Sequence, residues 1–130
     1  MPAQHMVGLA YHQGDIVERN DYRALAWFRE SVRNGNPMSY LFAAEILDLS
    51  PEKAQGQKEE NKVPNNRIFA FTNFFGAYQH GAFFVRERME QLAKEIKEKD
   101  GIELPEIVYV DIEQESFKKF AQQEKAKMKD

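Results

Sequence analysis

Residues 20–35 read Asn20-Asp21-Tyr22-Arg23-Ala24-Leu25-Ala26-Trp27-Phe28-Arg29-Glu30-Ser31-Val32-Arg33-Asn34-Gly35, and the architecture follows from how they recur. An echo begins 46 residues on: Asn20 falls on Asn66, Ala24 on Ala70, Phe28 on Phe74, Ser31 on Ala77, Val32 on Tyr78 and Gly35 on Gly81. Alanine, an aromatic four residues later and a small residue three further trace one face of a helix. The asparagine suits the helix N-cap, and the glycine suits a left-handed stop. Each copy is therefore a capped amphipathic helix ended by glycine.

A second echo has a different offset. Residues 3–11 match residues 39–47, 36 positions on, with small residues at Ala3/Ser39 and Gly8/Ala44 and a bulky apolar residue at Tyr11/Leu47. The ten-residue difference between offsets places an insertion between the two helices of the second unit. There, residues 50–64 are polar, bounded by Pro51 and Pro64 and without periodicity, as expected of a loop. The spacing predicts helices at 2–13, 21–34, 37–48, 66–80 and 82–99. Tyr22, Leu25, Phe28 and Val32 are expected to form the buried stripe of the second helix, with Ala24 and Trp27 beside it in the core. Ile68, Phe71, Phe74, Phe75 and Tyr78 serve the fourth helix, and Val85, Met89, Leu92 and Ile96 the fifth. Residues 102–112 are β-branched, but an isolated strand has no partner, so an extended or short helical connection is expected. From Glu113 onward Phe117, Phe120 and Ala121 mark a terminal helix whose last residues, 125–130, are expected to fray.

The run Ala3-x-x-x-Val7-Gly8-x-x-Tyr11-x-x-Gly14, followed by Val17, Asp21, Ala24-x-x-Trp27-Phe28-x-x-Ser31 and Gly35-Asn36, resembles a Sel-one-like repeat. This is a tetratricopeptide-like helix-turn-helix unit. The match is closest over residues 3–36; the second unit departs from it at Ala44, at Asn73 and in the inserted loop. The resemblance implies an all-α fold, a short right-handed α-solenoid of helix-turn-helix repeats with a C-terminal helical extension. Residues 1–130 would form a single domain: repeat one at about 2–35, repeat two at about 36–81 with the insertion 50–64, and a partial third repeat and C-terminal cap at 82–130.

Composition limits function. The chain has 18 basic and 21 acidic residues, and neither half carries the basic stripe that phosphate backbones require, so no nucleic-acid partner is expected. No apolar run approaches the roughly 20 residues of a membrane-spanning helix, and the first residues carry no basic-then-apolar leader. With no cysteine, disulfides and thiolate sites are excluded, which suits a reducing, cytoplasmic setting. HExxH, GxSxG, P-loop and GxGxxG motifs are absent. His5 and His12 lie seven apart, two helical turns, too far to ligate one metal from a straight helix. His80 beside Gly81 suits a helix C-terminus whatever the function. No catalytic residue, cofactor or metal is expected.

What remains is a surface. In a helix-pair solenoid the first helices of successive units line the concave side, where ligands bind. The 36-residue offset pairs His5, Leu9, His12 and Gln13 with Leu41, Glu45, Asp48 and Leu49, and Glu87, Gln91 and Lys94 follow in the third unit. These positions interleave with the repeated structural ones and are expected to face away from the paired helix. The function expected is that of a non-enzymatic adaptor or scaffold, a monomer or weak homo-oligomer, that binds a partner peptide or helix along this strip. Proteins resembling the family commonly act this way, often in bacterial pathways. The alternative is a small regulatory or immunity-like protein that inhibits a partner enzyme through the 50–64 loop.

Overall fold

The computed structural model describes residues 2–128, and all regular structure among them is helical. Helices α1 (Ala3–Gln13), α2 (Asp21–Arg33) and α3 (Met38–Leu47) come first. A single turn α4 (Pro51–Ala54) follows, then α5 (Arg67–Gln79), α6 (Arg86–Glu95) and α7 (Tyr109–Met128). Helix α2 packs on α1, α3 on α2, α5 on α3 and α6 on α5. Helix boundaries fall within a residue or two of those predicted as far as residue 80. Beyond it, the predicted 82–99 helix is three pieces: a 3-10 turn at Phe83–Val85, α6, and a wide π-helical turn at Ile96–Asp100 that stops at Gly101.

The repeat read from the sequence has a backbone counterpart. Asn20 and Asn66 both cap their helices, each side chain accepting from the amide three residues on (Arg23 and Phe69, both 3.0 Å). The Asn20 amide donates to the Tyr11 carbonyl at 2.9 Å, and the Asn66 amide to Leu47 at 3.0 Å, which are the paired positions of the first helices. At the other end, Asn36 donates to Ser31 and Ala82 to Ala77, both at 3.0 Å. Gly35 and Gly81 turn the chain there with φ of 94° and 105°, a conformation that a side chain would strain. Two helix pairs, α1–α2 and α3–α5, are thus built alike.

Ala24, Phe28 and Ser31 and their counterparts Ala70, Phe74 and Ala77 are all buried. Leu25, Ile46, Tyr78, Val85, Met89, Leu92 and Ile96 complete one continuous core. Two expectations fail on the α2 stripe: Tyr22 is 66% exposed and Trp27 37%. At about 100° per residue Tyr22 stands roughly 160° around the helix from Ala24, on the opposite face, while Trp27 lies at the margin. Helical spacing from Leu25 placed them in the core; the buried face is centred on Ala24, Phe28 and Ser31 and leaves them outside it.

The insertion is not a free loop. Besides α4 it contains a 3-10 turn at Glu59–Asn61, and it is tied to the α1–α2 connection. Arg19 donates to the carbonyls of Gln55 and Lys53, both at 2.8 Å, and Asn61 donates to the Arg19 carbonyl at 3.3 Å. The polar composition that suggested solvation supplies these bonds instead.

Residues 102–108 form no helix or strand, with Leu104 and Ile107 packed on the core, and α7 begins four residues earlier than expected. Its first turn is anchored: the Tyr78 hydroxyl donates to Glu113 at 2.6 Å, and the Arg86 guanidinium lies 4.6 Å over the Tyr109 ring. Farther along, Phe117 and Phe120 are exposed. Residues 125–128, expected to fray, are helical; Met1, Lys129 and Asp130 lie outside the described residues.

Candidate interaction cleft

The last turns of α1 and α3 end side by side and leave a cleft of about 540 Å³ between them. His12 and Gln13 line it from α1, Glu45, Asp48 and Leu49 from the end of α3, with Arg19 and Lys53 at one side and Phe74 of α5 below. Apolar residues at the same helix ends (Tyr11, Leu47) point into the core, so it is the polar neighbours that turn to the cleft.

One wall is a fixed network centred on Asp21, the first residue of α2, which is 2% exposed. The His12 Nδ1–H donates to its Oδ1 at 2.6 Å, while Arg19 and Gln57 donate to Oδ2 at 3.0 and 2.9 Å. The Asp21 amide donates back to Gln57 at 2.9 Å. Burial by itself pushes the Asp21 carboxyl up, but the hydrogen bonds from His12, Gln57 and Arg19 outweigh it and hold the group below its ordinary value. Asp21 therefore stays ionised, and because a carboxylate only accepts, the proton on His12 Nδ1 is fixed.

On the other wall Asp48 is gripped by Arg88 of α6 through two parallel bonds of 2.7 Å. This fork geometry is the strong form of the pair. Glu45 between them is different: it is exposed to solvent, and no hydrogen bond or ion pair reaches its carboxylate among the described residues. Burial pushes its carboxyl above the ordinary value, and the charges of His12 and Lys53 draw it only partly back.

No family model, no curated protein and no solved structure matches the chain.

Of the eight residues expected on the binding strip, five meet at this cleft: His12, Gln13, Glu45, Asp48 and Leu49. The other three do not. His5 is 1% exposed, with Nδ1 2.7 Å from Ser39 Oγ, which bonds Ser31 Oγ at 2.9 Å. Its ring packs against Phe28 and Phe42 at 5.4 and 5.2 Å, and burial lowers its pKa. Leu9 and Leu41 are half-buried against the core. His5 is enclosed between Phe28 of α2 and Ser39 and Phe42 of α3, and Leu41 stands beside Ala77 and Ala82 at the end of α5. Glu87, Gln91 and Lys94 of α6 are partly or fully exposed as expected. His80 caps α5, its Nδ1 donating to the Gly76 carbonyl at 2.8 Å.

Arg19, Asp21, Lys53 and Phe74 were missed. Asp21 and Phe74 sit inside the repeat pattern and read as cap and core. Arg19 and Lys53 lie in aperiodic segments, where the only signal is a surplus of polar side chains. Among the described residues no group of three or more His, Cys, Asp or Glu is placed to hold a metal ion, and no helix is long and apolar enough to cross a membrane.

Proposed function

We propose that the chain is a non-enzymatic adaptor of the helical-repeat kind, a short α-solenoid that binds a protein partner along the side lined by α1, α3 and α6. The observation that carries this reading is the cleft itself. His12 and Gln13 of the first helix pair converge there with their counterparts Asp48 and Leu49 of the second, and with Glu45, while the positions between them are spent on the core. Function in such folds resides in what the variable positions present, and the scaffold holds them rigid. The Asp21 network and the Asp48–Arg88 fork fix both walls before any partner arrives, which lowers the ordering cost of binding. The absence of cysteine suits a reducing cytoplasm.

A second reading, inhibition of a partner enzyme by the insertion, draws on a separate observation. The Arg19 and Gln57 bonds hold residues 50–64 in one shape with Glu52, Glu59 and Glu60 exposed on it. A photo-cross-linking residue placed in turn at Gln13, Glu45, Glu60 and Arg29 separates the readings. Capture at Gln13 and Glu45, retained by the purified partner, supports the cleft. Capture at Glu60 alone supports the insertion, and capture at Arg29 alone, on the exposed side of α2, refutes both.

A further inference from the structure

We propose that α7 is a docking surface for a second copy of this chain, the two helices pairing antiparallel along an apolar stripe. The first half of α7 is held by the body: Ile112 packs on the core, Tyr78 bonds Glu113, and the Phe117 ring stands 6.3 Å from that of Phe83. From Phe117 to Met128 every residue except Glu124 is exposed, and no other helix lies along that stretch. About 12 residues of helix alone in water are marginal, because most helical stability in proteins comes from packing an apolar face. Such a face is present. At about 100° per residue, Val110, Phe117, Phe120, Ala121 and Met128 fall within about 100° of one another, and all five are exposed.

Charge identifies the occupant. Residues 111–116 carry three acids and no base, whereas residues 117–128 carry four lysines and one glutamate. The helix dipole favours that order only within the first and last turns, which leaves Glu115, Lys118 and Lys119 to another cause. A helix acidic in one half and basic in the other is its own complement when reversed. Set antiparallel about a twofold axis beside Lys119, Val110 of one copy faces Met128 of the other, and Phe117 faces Ala121, a large ring against a small side chain. Asp111, Glu115 and Lys125 lie on one flank of that seam, so Lys125 of one copy comes between Asp111 and Glu115 of the other. The ion pairs of α7 within its own chain are Glu113 with Arg86 and Glu124 with Lys127, so these three stand unpaired among the described residues. A parallel pair would instead set Glu115 on Glu115 and Lys125 on Lys125, which repel. An anionic membrane, the other taker of an apolar helix face flanked by lysine, would repel the acidic half.

The test is sedimentation equilibrium of the full chain over a wide concentration range at low ionic strength. A two-helix seam belongs to the weak class of interfaces, and a dimer with Kd on the order of 10–100 µM is expected. Nitrogen-15 amide shifts on dilution should centre on residues 110–128. Phe120→Gln should weaken the dimer at least about tenfold. Glu115→Lys and Lys125→Glu should each weaken it at least about threefold, and the double variant Glu115→Lys/Lys125→Glu should restore it. That recovery also shows that the single variants do not act by unfolding α7. A chain that stays monomeric at the highest concentration reached overturns the proposal; binding of that monomer to phosphatidylserine vesicles would assign the stripe to a membrane instead. A dimer indifferent to Phe120→Gln, with dilution shifts elsewhere, overturns α7 as the surface. A dimer in which the two charge variants weaken association and do not recover together overturns the antiparallel pairing.

Discussion

Gly8 lies where α1 crosses α2, and a Cβ built there stands 2.7 Å from Cε1 of Phe28 and 2.8 Å from Cδ1. Carbon atoms rest at about 3.5–4.0 Å, so Gly8→Ala requires a displacement on the order of 1 Å. The ring cannot yield cheaply: Phe28 is fully buried, 5.4 Å from the His5 ring and stacked at 5.5 Å on Phe42. Helix propensity favours alanine over glycine by up to about 1 kcal/mol, and overpacking opposes it by about 1–3 kcal/mol. The clash wins, and Gly8→Ala should lose about 1 kcal/mol net. Gly8→Leu, which adds three more carbons, should lose about 3 kcal/mol. Denaturant unfolding followed by circular dichroism measures both. Shrinking the partner supplies the control: Phe28→Leu opens space, so the double variant Gly8→Ala/Phe28→Leu should be more stable than additivity by at least about 0.5 kcal/mol. A Gly8→Ala protein as stable as the wild type, or strict additivity, refutes the close crossing of α1 and α2.

Arg19→Ala strips three hydrogen bonds from the insertion and Asp21, and should cost about 2 kcal/mol and speed amide exchange at residues 53–58 while sparing α6; unchanged exchange there would refute the clamp. Two groups lower stability in acid, while Glu45, held above its ordinary value, acts in the opposite sense. His5 is held below its ordinary 6.5, so the unfolded chain takes up the proton first; its contribution is complete above that value and is lost as pH falls through the lowered one. Asp21, held below 3.8, likewise contributes above that value and loses it in stronger acid. Unfolding free energy measured across pH should therefore fall in two windows, with His5→Gln flattening the upper and Asp21→Asn the lower. Tyr78→Phe removes the hydroxyl that holds Glu113, and faster exchange is expected over residues 109–116 with α1–α3 unaffected.

The helix pairs were legible because their signals are local. Asn20 and Asn66 act on an amide three residues away, Gly35 and Gly81 act on their own φ, and Ala24, Phe28 and Ser31 share a face by periodicity. Offsets between copies then placed insertions without any tertiary knowledge. Phase errors entered where a stripe was run through Leu25 by helical spacing, as at Tyr22 and Trp27, although the buried face is centred on Ala24, Phe28 and Ser31.

The cleft was half legible for a related reason. Repeat offsets identify which positions are free of packing with the paired helix, and that sufficed for His12, Gln13, Glu45, Asp48 and Leu49. They carry no information about the next helix in the stack, and so His5, enclosed by Phe28 of α2 and Phe42 of α3, and Leu9 and Leu41, packed on the core, were placed on the surface. The electrostatics were illegible because their pairings are long-range. Asp21 meets Gln57 across 36 residues, and Asp48 meets Arg88 across 40. A charge becomes available to a partner only after such internal pairings are subtracted, and a count of charges along the chain cannot perform that subtraction. In this protein the subtraction leaves Glu45, which is exposed to solvent, as the cleft carboxylate outside those pairings among the described residues.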